Sequence, residues 1–411
     1  MYVFWVAAVA LFGAAAWKDR RLGLSLGAAA LPTYLLRFSI GPIPFTLLEA
    51  LILALVGVWI ARGEWRQARA LPKPWLYGMG GLLAAAILAT FVAPDLRGAL
   101  GALRAYFIEP MMLFLVAATT LKTDTERRVV LAWFVGGAAF ASLVGVFQFT
   151  TGMGIPVPWD IERRVTGPFP YPNALGLYAG PAAIVAALFT ARETGKVRLA
   201  WAMGGLFCIA GIVLAQSEAA VGSVLAMAFL ASLFSKPWRR VSLAAAATGL
   251  LLVTFVSPLR TFAVEKLSLH DRSGDVRRVQ WTETWEMLKT KPVFGAGLNG
   301  YPAALVPFHR RPDIEIFQYP HTMALNVWTE LGLAGFAACA GLFALVWTAL
   351  RRAQKDGWRD TAAVAVLLAF GGMLVHGLVD VPYFKNDLSA LTWLLLALLC
   401  TAYGTRARTR P

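Results

Sequence analysis

Runs of about 20 apolar residues recur along the whole chain, separated by short segments rich in Lys and Arg, and this pattern restricts the fold more than any other feature. About 20 helical residues cross a hydrocarbon layer of about 30 Å. Inside that layer every backbone N–H and C=O must be satisfied within the segment, which leaves the helix as the natural solution for such runs. A soluble core can absorb one of them but not a whole series. With 58% hydrophobic and only 15% charged residues among 411, and a mean hydropathy of +0.62, the chain is expected to be an all-α polytopic membrane protein.

Thirteen spans are expected, at 2–17, 22–37, 45–61, 75–93, 105–121, 129–149, 173–191, 199–215, 218–235, 241–256, 330–350, 361–380 and 388–404. The second is short and carries Pro32, so twelve is the alternative. The first run has no basic region ahead of it and reads as a retained helix rather than a cleaved leader. Cys208, Cys339 and Cys400 all fall inside apolar runs and read as packing residues.

The formal net charge of +15 is topological and needs no nucleic acid. Taken at alternate connections, "KDRR", "RGEWRQARALPK", "KTDTERR", "RETGKVR", "SKPWRR", "RRAQKDGWR" and the tail "TRARTR" hold most of the Lys and Arg residues. Such clusters mark the cytoplasmic side, which puts the C-terminus there, with attraction to anionic membrane lipids as a secondary effect. Two connections on the outer side exceed what a turn needs: Thr150 to Pro172, and the much longer Ser257 to Pro320. Loops of that length inside a compact domain are usually functional. The expected organisation is a helical bundle over 1–256, a large outer-face loop over 257–320, and C-terminal helices over 321–411. No internal repeat or pair of short broken helices marks an inverted-repeat transporter.

Within the long loop, Arg277, Trp281, Trp285 and Leu288 share one helical face, the pattern of an amphipathic helix lying at the membrane interface. Arg277 and Arg278 stand where a guanidinium meets the phosphate of a lipid headgroup through paired hydrogen bonds. Next comes "YPHTMALNVWTELGLAGF". Pro320 disfavours helix at Tyr319, Thr322 suits an N-cap, and Thr322, Asn326 and Glu330 then form one polar stripe. A helix N-terminus disfavours imidazolium, so His321 is expected to be neutral, the state a general base needs. An interfacial histidine with no catalytic role fits the same residues. Glu49, Glu109, Glu218 and Asp380 are ionisable residues at span positions, where charge is costly unless paired. His376 and Asp380, four residues apart, read first as a structural pair.

"RRVQW", "KPVFGAGLNGY", "YPHTMALNVWTELGLAG" and "HGLVDVPYFKNDLSALTW", with "TGPFPYPNALGLY" earlier, resemble the bacterial O-antigen ligase and O-antigen polymerase superfamily over roughly residues 130–400. The resemblance implies about 12–13 transmembrane helices in a GT-C-like fold whose large outer-face loop contains amphipathic helices. It implies an inverting glycosyltransferase of the inner membrane that takes a glycan from undecaprenyl diphosphate, without a metal or other cofactor. The acceptor would be a sugar hydroxyl on a glycolipid such as lipid A-core (ligase) or on a lipid-linked repeat unit (polymerase). His321 corresponds to the family's base and Arg277 to a ligand of the donor diphosphate, while Asn173 and Asp380 fall in its other motifs. One departure is plain: where the family often carries Ser-Arg-Gly, this chain has Ser217 followed by Glu218. A carboxylate cannot bind diphosphate, so Arg278, Arg164 and Arg163 become candidates for the second cation. Glu218 would then pair with one of these arginines or orient His321. The rival from another class is a transporter or flippase for lipid-linked glycans.

Overall fold

The structure, a computed structural model, describes residues 2–234 and 236–404; the basic tail "TRARTR" lies outside the described residues. The elements run α1 Tyr2–Lys18, α2 Arg20–Ala29, β1 Arg37–Ile40, β2 Ile43–Thr46, α3 Leu47–Ala61, α4 Lys73–Val92, α5 Leu96–Leu103, α6 Glu109–Thr120, α7 Asp124–Thr151, α8 Pro172–Arg192, α9 Gly195–Leu214 and α10 Glu218–Leu233. They continue through α11 Lys236–Phe255, α12 Ser257–Leu267, α13 Arg272–Thr290, α14 Tyr301–Leu305, α15 Met323–Lys355, α16 Thr361–His376 and α17 Asn386–Tyr403.

Among the described residues seven helices are long and apolar enough to cross a membrane: α4, α5 continuing into α6, α7, α8, α9, α15 and α17. An eighth passes only as the pair α11 and α12, bent by 97°, and four shorter apolar helices complete the set, in α1, α3, α10 and α16. The all-α polytopic membrane fold therefore holds, with twelve apolar helical units among the described residues. The expected span at 22–37 is corrected. The helix there has 10 residues, about 15 Å of rise, and gives way to a 3-10 turn that opens around Pro32 and then to β1. Proline's missing N–H and fixed φ end the helix before it can cross.

The enclosed centre is α8, packed against α7, α9, α10 and α16, while α17 lies against α6 and α15 against α4. Each of these helices presents a face of small and branched side chains, Ala174, Ala182 and Val185 on α8 and Ala390, Leu394 and Ala397 on α17 among them, all fully or nearly fully buried. Small residues let helix backbones approach closely where lipid offers no hydrophobic driving force.

Several expected span carboxylates are structural. Thr46 and Glu49 form a reciprocal capping box at the start of α3, and Arg104, in a π-helical turn between α5 and α6, lies 3.3 Å from both Glu49 and Glu109. Glu330 is buried and accepts the backbone N–H of Asn299. It belongs to a clasp in which the "FGAGLNGY" segment enters a break in α15: Ala296 N donates to Thr329 O (2.7 Å) and Leu333 N to Val293 O (2.9 Å). At the break Gly332 has φ +63°, and a Cβ there would meet the Val293 carbonyl. Only glycine combines that φ with that approach.

Candidate functional site

The site lies at the end of the bundle that carries the long loop, where two turns meet. One turn precedes α15 and holds His321; the other joins α16 to α17 and holds Asp380. Met323 N donates to Gly377 O (2.8 Å), which ties the two turns together. His321 stands one residue before Thr322, the N-cap position of α15, yet Thr322 makes no capping hydrogen bond; its hydroxyl turns to Gly377 O at 3.4 Å. His321 itself has φ +48°, a left-handed conformation that costs a branched-out side chain about 1–2 kcal/mol and persists only where surroundings enforce it.

Those surroundings are visible. Nδ1 of His321 is 3.7 Å from Oδ1 of Asp380, and Asp380 is almost fully buried while the imidazole keeps 18% of its surface. Phe317 and Tyr319 meet the imidazole edge-on at 4.9 and 5.4 Å. Burial works against charge on Asp380, but His321, His376 and the Val381 N–H together hold its carboxyl below the ordinary range. The expectation of a His376–Asp380 side-chain pair is corrected: the two meet through backbone, Asp380 N to His376 O, and Nε2 of His376 has no hydrogen-bond partner among the described residues. The turn after Gly377 carries the Asp380 carboxylate away from its own helix and towards His321.

Helix α13 fixes both turns. Trp281 Nε1 donates to Pro320 O (2.9 Å), the residue before His321, and Arg277 Nε donates to Val379 O (3.1 Å), the residue before Asp380. The one-turn spacing of Arg277 and Trp281 is therefore used, though the helix is rotated from its expected face. Gln280, Thr284, Met287 and Leu288 are buried, whereas Trp285 is exposed and meets Trp328 edge-on. The reason is a small second core of Met287, Leu288, Ala296, Tyr301 and Leu305, which pulls that stripe inward. Both terminal nitrogens of Arg277 make no hydrogen bond or ion pair among the described residues, leaving a forked donor beside the His321–Asp380 turns.

Other sequence candidates are dispersed. Arg278 points away and pairs with Asp275 (3.0 Å). Arg163 is exposed in a turn. Arg164 donates to Ala215 O (3.4 Å) beside the α9–α10 junction and lies over Trp159, with burial lowering its pKa. Glu218 neither pairs with an arginine nor reaches His321; it is exposed and binds Lys266 (2.8 Å), which also holds Asp271. Asn326 is buried one turn into α15 with both side-chain polar atoms unpartnered, and Asn173 is half-buried in the first turn of α8. Sequence reasoning missed Phe317, Tyr319 and Tyr171, whose hydroxyl lies 2.7 Å from that of Tyr319, and Lys385. The signal available was position: all four fall inside or beside the quoted motifs.

Fold and site together define a multi-pass membrane protein with a His–Asp–Arg constellation gathered at one end of its bundle. The family model described as O-antigen ligase matches residues 203–340, from α9 to the first half of α15 and so through Arg277 and His321. That match bears out the resemblance to the O-antigen ligase and polymerase superfamily and supports a glycosyltransferase-like role in O-antigen assembly. No curated protein matches the chain.

Proposed function

We propose that the chain is an inverting glycosyltransferase of the bacterial inner membrane, moving a glycan from undecaprenyl diphosphate to a sugar hydroxyl at the outer face. The observation that carries this reading is the joint attachment of both turns to α13: one helix sets His321, Asp380 and the unpaired fork of Arg277 in a common frame. Arg277 binds the donor diphosphate and stabilises the charge that grows on it as the glycosidic bond breaks. His321 takes the proton of the acceptor hydroxyl, which attacks the anomeric carbon from the face opposite the departing diphosphate, and Asp380 orients the imidazole. One displacement gives one inversion.

The domain organisation expected above fits this reading, with the 257–320 loop closing over the donor and the lipid tail remaining in the bilayer. The second cationic ligand is drawn from Arg164, Arg163 and Arg278; of these Arg164 is favoured because it is already half-buried beside the α9–α10 junction. Asn173 and Asn326 act as supporting residues, whereas Glu330 holds the loop clasp and Glu218 ties α10 to α12 through Lys266.

The test supplies purified protein with a synthetic undecaprenyl-diphosphate glycan and either lipid A-core or a second lipid-linked unit. His321→Ala is expected to lose turnover by about 100-fold or more, and Arg277→Ala to weaken use of the donor. Undiminished turnover in His321→Ala removes the base. Product that requires lipid A-core identifies a ligase, and product from lipid-linked units alone a polymerase.

A further inference from the structure

Lys385 lies in the turn between α16 and α17, immediately before α17 begins. Its ammonium is sealed from solvent, with the Tyr34 hydroxyl as its polar neighbour. Three aromatic rings surround it, with centroids at 5.1 Å (Tyr171), 5.4 Å (Tyr34) and 5.5 Å (Phe169). Burial alone pushes a lysine towards neutrality. Here the charge of Asp387 and the Tyr171 and Tyr34 hydroxyls outweigh it and raise the pKa above the ordinary lysine value. Asp387 is itself fully buried.

A buried cation of this kind is costly, and an apolar side chain of similar length would fill the same space. Its position suggests what the charge does. The ring of Tyr171 lies against the cation, so its electrons are drawn inward and its hydroxyl becomes the better donor of the Tyr171–Tyr319 pair, 2.7 Å apart. Tyr319 then accepts, which fixes the ring that meets the His321 imidazole at 5.4 Å and 77°. His321 sits in a strained left-handed conformation, so its geometry depends on what holds it.

We propose that Lys385 is a positioning residue for the transfer reaction, its charge acting through the Tyr171–Tyr319 hydroxyl pair to hold the ring against which His321 is set. The proposal rests on the glycosyltransferase reading for its kinetic consequence, but its structural consequence is measurable without turnover.

Lys385→Met removes the charge at nearly constant length, and Tyr171→Phe removes the hydroxyl. Each is expected to lower kcat by about 100-fold with donor and acceptor KM little changed. The double variant is expected to be no worse than the worse single, because both act along one chain, and Lys385→Arg to restore most of the rate. In parallel, carbethoxylation of His321 by diethyl pyrocarbonate, followed on its peptide by mass spectrometry, is expected to accelerate severalfold in Lys385→Met and Tyr171→Phe. Unchanged kcat and unchanged His321 reactivity in Lys385→Met overturn the proposal, as does full additivity in the double variant. Should Lys385→Met fail to fold in detergent, Tyr171→Phe decides by the same two readouts. A wild type that transfers no glycan, with His321 reactivity still responding to Lys385, sinks the glycosyltransferase reading and leaves the positioning role standing.

Discussion

Asp380 shows how one side chain is recruited by the fold rather than by its own helix. Its carboxylate, almost fully buried, faces His321 at 3.7 Å and accepts the Val381 N–H. Burial raises its pKa, and the two histidines and the N–H more than offset this, so the net shift is downward from 3.8. A carboxyl whose folded pKa is depressed contributes stability that is full above the unfolded value and lost as pH falls through the folded one. The stability gap between wild type and Asp380→Asn, measured by chemical unfolding in detergent, should therefore be constant near neutrality and shrink below about pH 4. A gap independent of pH would show that the carboxylate gains nothing from its neighbours. Under the proposed mechanism the same variant is expected in the transfer assay to lose kcat rather than donor affinity, because Asp380 would act there only through the imidazole. At this scale the motif showed which residues to watch, His321 and Asp380 among them, but paired Asp380 with His376. Sequence spacing measures distance along a helix, and Asp380 has left that helix by the turn after Gly377.

Two elements decide whether the site exists, α13 and the broken start of α15. Helix α13 donates from Trp281 and Arg277 to the carbonyls before His321 and Asp380. Trp281→Phe keeps the ring and loses one hydrogen bond, about 1 kcal/mol of stability, and is expected to cost about tenfold in kcat. A variant with wild-type kcat would mean that the turn holds itself. The break in α15 depends on Gly332, whose φ of +63° and contact with the Val293 carbonyl leave no room for a side chain. Gly332→Ala is expected to destabilise the protein by about 1–3 kcal/mol, read as a lowered thermal midpoint in detergent. An unchanged midpoint would show that the loop clasp is not rigid. Amphipathicity predicted that α13 would be a helix with one face turned inward. Which face turned inward followed from the small core around Tyr301, whose members are scattered from Met287 to Leu305 and carry no local signal.

Across the whole molecule, polar groups are concentrated at two levels. At the end opposite the site, Arg127 of α7 and Asp360 at the cap of α16 form a buried pair at 2.6 Å. Asp360→Ala removes the close partner and leaves Arg127 only Asp124, at 4.0 Å, so it is expected to destabilise by about 3 kcal/mol while KM for the donor stays unchanged in the surviving folded fraction. Loss of donor affinity instead would reveal coupling between the two ends. The sequence alone determined the all-α membrane class, most of the helices and the His321 segment, because a hydrocarbon layer imposes length, apolarity and charge placement on contiguous residues. Of its two counts, thirteen and twelve, the structure supports the second, which Pro32 had offered, because the helix at 22–37 ends before it can cross. Only the tertiary structure decided that Asp380 faces His321, that Glu218 binds Lys266, that Glu330 belongs to a loop clasp, and that Lys385 is enclosed by Tyr34, Phe169 and Tyr171. Each of these contacts joins residues from separate turns or helices, and their meeting is set by how the helices pack and where each one ends.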